Sequence, residues 1–143
     1  MAAPSLLRLQ QTFLSSPSFA VVGASKDTTK YGTRVLNWYK ARDLPIQPIH
    51  PREAELEGYK TIASITELPD PTKTSISIIT PPTCTLSLSP IALAYGLLSA
   101  LWLQPGAADE AVTEWIKEKG MEDRVIFGGP CILVEGDGVR ALL

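Results

Sequence analysis

The stretch SFAVVGASKDTTKYG, residues 18–32, organises the fold of this chain. It opens with an apolar run, residues 19–22, whose β-branched composition is typical of a strand buried on both faces. Gly23 ends that run, and Gly32 lies at the start of a segment, residues 33–42, that predicts a helix. A strand, a glycine turn and a helix N-terminus form a cradle for phosphate, because backbone N–H groups and the helix dipole converge there. The full G-x-G-x-x-G fingerprint is absent, and the same order also suits an ordinary turn that binds nothing.

Length and composition narrow the class of protein. A chain of 143 residues fits one domain whose core needs no disulfide or structural metal. The net charge of -2 argues against a general binder of nucleic acid or of anionic membranes, and no apolar run approaches the length of a membrane span. Cys84 and Cys131 lie far apart without CxxC spacing, so we predict neither a zinc site nor a disulfide framework. A reducing, cytoplasmic setting fits best, and residues 5–16 match a mitochondrial transit peptide only weakly.

Predicted strands and helices alternate along the rest of the chain. We predict strands at residues 45–49, 75–80, 100–103 and 125–127, helices at residues 6–14 and 110–119, and one helical turn at residues 64–68. A further helix is expected after Thr83, with apolar positions from residue 86 to residue 97, and the tail at residues 132–142 suggests a small hairpin or edge extension. This alternation predicts an α/β fold, a doubly wound parallel sheet in a single domain. An N-terminal helix, residues 1–17, would precede the main domain, residues 18–143.

Small, polar and proline residues follow the predicted strands. In doubly wound sheets the ligand binds at the carboxyl ends of the strands, near the point where strand order reverses. The residues collected at that rim are Gly23, Ala24, Ser25, His50, Pro51, Arg52, Thr80, Pro81, Pro82 and residues 104–106. NAD-binding proteins carry an acidic residue at the end of the second strand, but here no carboxylate precedes Glu53. Arg52 instead suits a ribose phosphate, as in NADP or coenzyme A, or it is a solvated loop charge.

No residue of the sequence is assigned a catalytic role. Ser25 and His50 could form a nucleophile–base pair, but the pair lacks an obvious carboxylate to orient the histidine. Cys84 lies close to a predicted helix N-terminus, which could favour its thiolate, but we interpret it as a buried hydrophobic residue. A reductase would need a proton donor such as Tyr-x-x-x-Lys, and neither Tyr31 nor Tyr39 has a lysine four residues later.

Several motifs together resemble the small stand-alone CoA-binding proteins, which are related to the CoA-binding domain of the succinyl-CoA synthetase alpha subunit. These motifs are VVGAS with a later glycine, a proline and a basic residue after the second strand, a strand ending in T-P-P, and WLQPG before the penultimate helix. The resemblance covers residues 18–131 and implies a Rossmann-like fold with coenzyme A as the ligand. It implies that the phosphates are held by Gly23, Ala24, Ser25 and Lys26. Pro51 and Arg52 would then flank the nucleotide phosphate, and Thr80, Pro81 and Pro82 would line the thiol-bearing arm.

Tyr31, Gly32 and His50 complete the predicted ligand site, although small relatives often carry asparagine in place of His50. Cys131 resembles a cysteine that is frequent in these relatives. The synthetase continues into a second half with a phosphorylated histidine, which this sequence does not contain, so we expect no ligase activity.

Three hypotheses follow from the sequence. The first is a protein that binds CoA or an acyl-CoA without catalysis of its own. The alternative is an NAD(P)-binding protein or NADP-dependent reductase. The third is a structural protein that forms a homodimer through its N-terminal helix or a sheet edge.

Overall fold

A parallel sheet lies at the centre of the computed structural model, which describes residues 5–81, residue 85 and residues 100–143. The strands are β1 (Ser18–Val22), β2 (Ile46–Ile49), β3 (Glu55–Leu56), β4 (Tyr59–Lys60), β5 (Thr74–Ile78), β6 (Ala100–Leu103) and β7 (Val125–Ile126). The α-helices within these described ranges are α1 (Leu6–Leu14), α2 (Tyr31–Ala41), α3 (Glu110–Glu118) and α4 (Ile132–Arg140). Short 3-10 turns occupy Ile65–Glu67 and Pro71–Lys73, and the first of them confirms the predicted helical turn.

The order of the strands gives the sheet a reversal point. Among the described residues the five-stranded sheet has the order β2-β1-β5-β6-β7, and every neighbouring pair is parallel. The chain therefore moves outward from β1 to β2, returns past β1 to β5, and continues in the opposite direction. The reversal lies between β1 and β5, where the carboxyl ends of parallel strands diverge and leave a crevice. The predicted doubly wound, Rossmann-like α/β fold is confirmed.

Side chains of β1 alternate between two apolar layers. Phe19 and Val21 pack in the layer that also contains the buried faces of α1, α2 and α4, whereas Ala20 and Val22 pack in the layer that contains α3. Because β1 is buried on both faces, its sequence has no polar alternation, as expected for a central strand of a parallel sheet.

Helix α1 belongs to the first of these layers. The Ser5 side chain accepts a hydrogen bond from the Arg8 amide and caps the helix. The buried Phe13 meets the indole of Trp102 edge to face, with ring centroids 5.4 Å apart. The helix packs against β6, β7 and α4, so its apolar side contributes to the same core as the strands.

Two segments differ from the sequence-based prediction. The tail is a helix, α4, and the predicted hairpin or edge extension at residues 132–142 is wrong. Gly136 packs against the indole of Trp38, and Asp137 accepts two 2.6 Å hydrogen bonds from the guanidinium of Arg42. These contacts with α2 override the turn preference of the Gly-Asp-Gly sequence. The polar stretch after β2, for which we predicted no strand, forms the small antiparallel β3–β4 pair. The helix predicted after Thr83 lies outside the described residues.

We predict opposite effects for alanine at the two glycines of α4. A Cβ on Gly136 would lie 3.0 Å from Trp38 Cη2 and closer still to Cζ2, so Gly136→Ala should lower the free energy of unfolding by about 1–3 kcal/mol. Gly138 has no neighbour within 4 Å, so Gly138→Ala should raise the free energy of unfolding by about 0.5–1 kcal/mol through helix propensity. Urea unfolding measures both variants. Equal stability of the two variants would contradict the packing of Gly136 on Trp38.

Candidate functional site

Two glycines bring β1, α2 and the end of β5 into contact. Gly23 has a φ of 116°, which other residues rarely adopt, and a Cβ there would lie 2.9 Å from the carbonyl carbon of Ile79. Gly32, in the first turn of α2, faces the backbone of the Gly23 turn that ends β1. A Cβ on Gly32 would lie 2.7 Å from the carbonyl carbon of Gly23 and closer still to its oxygen. Both positions therefore require glycine, and their contact places the N-terminus of α2 directly beside the end of β1.

A threonine that the sequence reasoning missed fixes the loop between β1 and α2. The Thr33 hydroxyl accepts a 3.0 Å hydrogen bond from the Ser25 amide and donates a 2.8 Å bond to the Ser25 carbonyl. The Ser25 hydroxyl accepts in turn from the Asp27 amide at 3.2 Å. Ser25 therefore orders the loop, and its amide N–H is already used within the protein. Ala24 beside it is buried, with 2% of its surface exposed.

The N-terminus of α2 is not capped by a side chain. Lys30 occupies the N-cap position and makes no side-chain hydrogen bond to the first turn, which contains no acidic residue. The carboxylate of Asp27 instead accepts hydrogen bonds from the amide and the hydroxyl of Thr29, and these two bonds lower the pKa of Asp27. Neither the N-cap residue nor the first turn of α2 therefore supplies a carboxylate to the positive end of the helix dipole, which favours an external anion at this point.

His50 organises the loop after β2. Its Nδ1 accepts hydrogen bonds from the amides of Arg52 and Glu53, both at 2.9 Å, and its own amide donates to the Ile62 carbonyl at 2.9 Å. A side-chain acceptor that bonds an amide two residues later has the geometry of an Asx turn, which asparagine also forms. His50 thus orders this loop in the way expected of an asparagine. Pro51 and Arg52 are exposed at its tip.

An ion pair joins the loops after β1 and β2. Lys26 Nζ lies 2.9 Å from Glu53 Oε2, with 75% of the lysine side chain and 34% of the glutamate side chain exposed. The two cationic residues predicted for the site, Lys26 and Arg52, therefore lie on adjacent loops. Glu53 was not among the predicted residues, because a contact between two loops leaves no local signal in the sequence.

The loop after β5 begins beside the Gly23 turn. The Ile79 amide donates a 2.8 Å hydrogen bond to the Val22 carbonyl, which continues the pairing of β5 with β1. The half-buried Thr80 has its hydroxyl 2.9 Å from that of Thr85, and Pro81 is exposed. The structure therefore places Thr80 and Pro81 at the reversal point of the sheet. The predicted site residue Pro82 and the candidate Cys84 lie outside the described residues.

A polar cluster connects the first turn of α2 with the end of β6 and the start of α4. The Tyr31 hydroxyl contacts Cys131 Sγ and donates to Gln104 Oε1 at 3.4 Å. The buried Gln104 also accepts a 3.0 Å bond from the Ile132 amide, which fixes the start of α4. Burial, followed by the hydrogen bond with Cys131, raises the pKa of Tyr31, so its hydroxyl stays protonated at neutral pH. Gln104 and Cys131 each follow a core strand of the parallel sheet. This shared position is the sequence signal from which their proximity could have been predicted.

The cavities found among the described residues lie away from the loops that carry the predicted site residues. Two surface cavities, of about 490 and 170 Å³, lie at the amino edge of the sheet, near the end of α1 and the start of β1. Within the described ranges, no three His, Cys, Asp or Glu side chains are grouped closely enough to hold a metal ion. No helix in those ranges is both long and apolar enough to span a bilayer. Both cavities lie at the opposite edge of the sheet from the loops that carry the predicted site residues.

Comparisons with known proteins assign the chain to a family. The family model described as CoA binding domain matches residues 17–137. A conserved hypothetical protein from Pyrococcus furiosus is 34% identical, with a TM-score of 0.73 over 82% of this chain and 97% of that chain. The structure of cell-free ID.343 from Thermus thermophilus is 25% identical, with a TM-score of 0.78 over 95% of this chain and 99% of the other. No curated protein matches the chain.

A larger enzyme shares the fold. The dinucleotide-forming acetyl-coenzyme A synthetase 1 of Ca. Korarchaeum cryptofilum, solved with phosphate and ADP, is 23% identical with a TM-score of 0.66. The match covers 85% of this chain but only 27% of the synthetase chain. A family model that matches residues 17–137 and a relative that is 34% identical over nearly its whole length lead to one conclusion: the chain belongs to the CoA binding domain family.

Proposed function

We propose that this protein binds coenzyme A or an acyl-CoA at the carboxyl edge of its sheet and is not itself a ligase. The observation that supports this most strongly is the contact between Gly23 and Gly32, which leaves the uncapped N-terminus of α2 beside the end of β1. Membership of the CoA binding domain family supports CoA as the anion that such a cradle would receive.

The pyrophosphate of CoA would lie at the N-terminus of α2. Gly23 and Gly32 let α2 start directly against the turn after β1, and the backbone of the first turn of α2, which includes Tyr31, supplies the dipole that would attract the pyrophosphate. Lys26 extends from the same loop and adds a positive charge that reaches phosphate oxygens. Ser25 and Ala24 would shape this cradle, since the Ser25 amide is already bonded to Thr33.

The ribose phosphate would lie at the loop after β2. The exposed guanidinium of Arg52 suits a phosphate, because its planar N–H groups match two phosphate oxygens. His50 supports this role by fixing the Arg52 amide, and Pro51 offers an apolar surface to the adenine. The pantetheine arm would then extend along Thr80 and Pro81 at the reversal point. Pro82, beyond the described residues, belongs to this set through the family resemblance.

An NADP-binding protein or NADP-dependent reductase is the second candidate function. Arg52 would suit the 2′-phosphate of NADP as well as the 3′-phosphate of CoA. NAD itself is less favoured, because the carboxylate nearest the end of β2 belongs to Glu53, which is paired with Lys26 and not free for ribose hydroxyls.

Calorimetric titration separates these candidates. We expect the protein to bind CoA most tightly, dephospho-CoA more weakly, and NAD and NADP weakly or not at all. The family assignment and the arginine after β2 are the physical basis for that order. Tight binding of NAD or NADP together with no binding of CoA would contradict the proposed function.

Arg52→Ala should remove the preference for the 3′-phosphate. A charge-assisted bond contributes about 1.5–3 kcal/mol, so affinity for CoA should fall by about one to two decades. Arg52→Ala should also bind CoA and dephospho-CoA equally, because both changes remove one interaction and cannot add. Arg8→Ala, an exposed arginine on α1, is the matched control and should bind as the native protein does. If Arg52→Ala retains the full preference for CoA, another group reads the phosphate.

Gly32→Ala should disrupt the phosphate cradle. The added Cβ must displace α2 from the Gly23 carbonyl, so we expect affinity for CoA to fall at least about tenfold and the free energy of unfolding to fall by about 1–3 kcal/mol. Gly138→Ala, where a Cβ meets open space, is the control. Calorimetry and urea unfolding measure the two effects. A folded Gly32→Ala protein with native affinity would place the ligand away from this turn.

A further inference from the structure

The ion pair between Lys26 and Glu53 lies between the two loops that would hold the phosphates of the ligand. Lys26 belongs to the cradle after β1, and Glu53 directly follows Arg52 in the loop after β2. A carboxylate oxygen therefore occupies the position next to Lys26 Nζ, at 2.9 Å, that a phosphate oxygen would take. The contact joins residues on different strand-end loops, so it spans the mouth of the proposed site.

Glu53 is anchored at this position by its backbone. Its amide donates a 2.9 Å hydrogen bond to His50 Nδ1, and its carbonyl accepts a hydrogen bond from the Thr61 hydroxyl. The backbone of Glu53 is thus held from both sides, and the carboxylate extends from a fixed point. Only the side chain has to rotate for the ion pair to open.

We propose that Glu53 is an internal competitor for the ligand phosphate: its carboxylate pairs with Lys26 in the free protein and must be displaced when a CoA-type pyrophosphate binds. This inference rests on the proposed function and adds an affinity-setting residue to the same site. After displacement, the carboxylate would lie near the negatively charged phosphate oxygens. This repulsion is a second contribution that weakens binding, in addition to the loss of the ion pair.

The exposure of the pair limits the size of the effect. Three-quarters of the Lys26 side chain and a third of the Glu53 side chain are open to solvent, so water and salt screen the interaction. Loss of one exposed ion pair and one like-charge contact should change affinity by about three- to tenfold rather than by several decades. Glu53 would therefore weaken ligand binding without abolishing it.

The test is a calorimetric double-mutant cycle with CoA and dephospho-CoA. The variants are Glu53→Gln, Lys26→Met and the double variant, with Glu118→Gln as the charge-matched control. Glu118 is exposed at the end of α3, the helix between β6 and β7, and belongs to neither loop of the proposed site. Circular dichroism and urea unfolding verify that each variant is folded.

We expect Glu53→Gln to bind both ligands about three- to tenfold more tightly, and Glu118→Gln to bind them as the native protein does. In the Lys26→Met background the gain from Glu53→Gln should be smaller, because the ion pair is already absent and only the like-charge contact with the phosphate is left to remove.

Four results would overturn the inference. Unchanged binding by Glu53→Gln would mean that the carboxylate does not compete with the ligand, and weaker binding would mean that the ion pair preorganises the site or that Glu53 contacts the ligand. A full gain in the Lys26→Met background would mean that the carboxylate acts as a distant charge. A gain confined to CoA would place the effect on the 3′-phosphate, and an equal gain in Glu118→Gln would make it non-specific. Failure of the native protein to bind either ligand would instead contradict the proposed function.

Discussion

The close approach of Gly32 to the carbonyl of Gly23 is the constraint on which the rest of the carboxyl edge depends. Because no Cβ separates Gly32 from the Gly23 carbonyl, α2 starts directly against the turn that ends β1. This contact fixes the positions of the first residues of α2. Thr33 can then reach the backbone of Ser25, and Tyr31 can reach Gln104. A single steric requirement therefore orders a loop, a helix end and a polar cluster that come from distant parts of the chain.

Two hydroxyl groups on β5 form hydrogen bonds inside the apolar core. The face of β5 toward α2 carries Ser75 and Ser77 in an otherwise apolar layer, and both are fully buried. Ser75 pairs with the Ser16 hydroxyl at 2.6 Å, and Ser77 pairs with the Tyr39 hydroxyl at 2.7 Å. Burial raises the pKa of Tyr39, so this bond joins two neutral groups. Because buried hydroxyls without partners are costly, these pairs favour one register of the helices on the sheet.

The sequence predicted the fold through local patterns and missed what depends on distant contacts. The apolar run before Gly23, the helix α3 and the strand at Ala100–Leu103 have signals within a few residues, and the structure confirms them. The tail was wrong because Gly-Asp-Gly is a turn sequence unless Trp38 and Arg42 are present to pack against it. Thr33 and Glu53 were missed for the same reason, since their partners lie on other loops and cannot be inferred from spacing. The assignment of Gly23, Gly32 and Arg52 to a ligand site remains a prediction from motif and family.

The attachment of α4 to α2 has a consequence for how the chain folds. Arg42 and Asp137 are separated by 95 positions, yet their bond and the Trp38–Gly136 contact close one side of the first core layer. Such long-range contacts raise contact order and slow folding, because a long loop must close before they form. During synthesis the apolar faces of α1 and α2 would therefore stay partly uncovered until α4 leaves the ribosome. Helix α4 thus completes this core layer only after the helices and strands that precede it in the chain have been made.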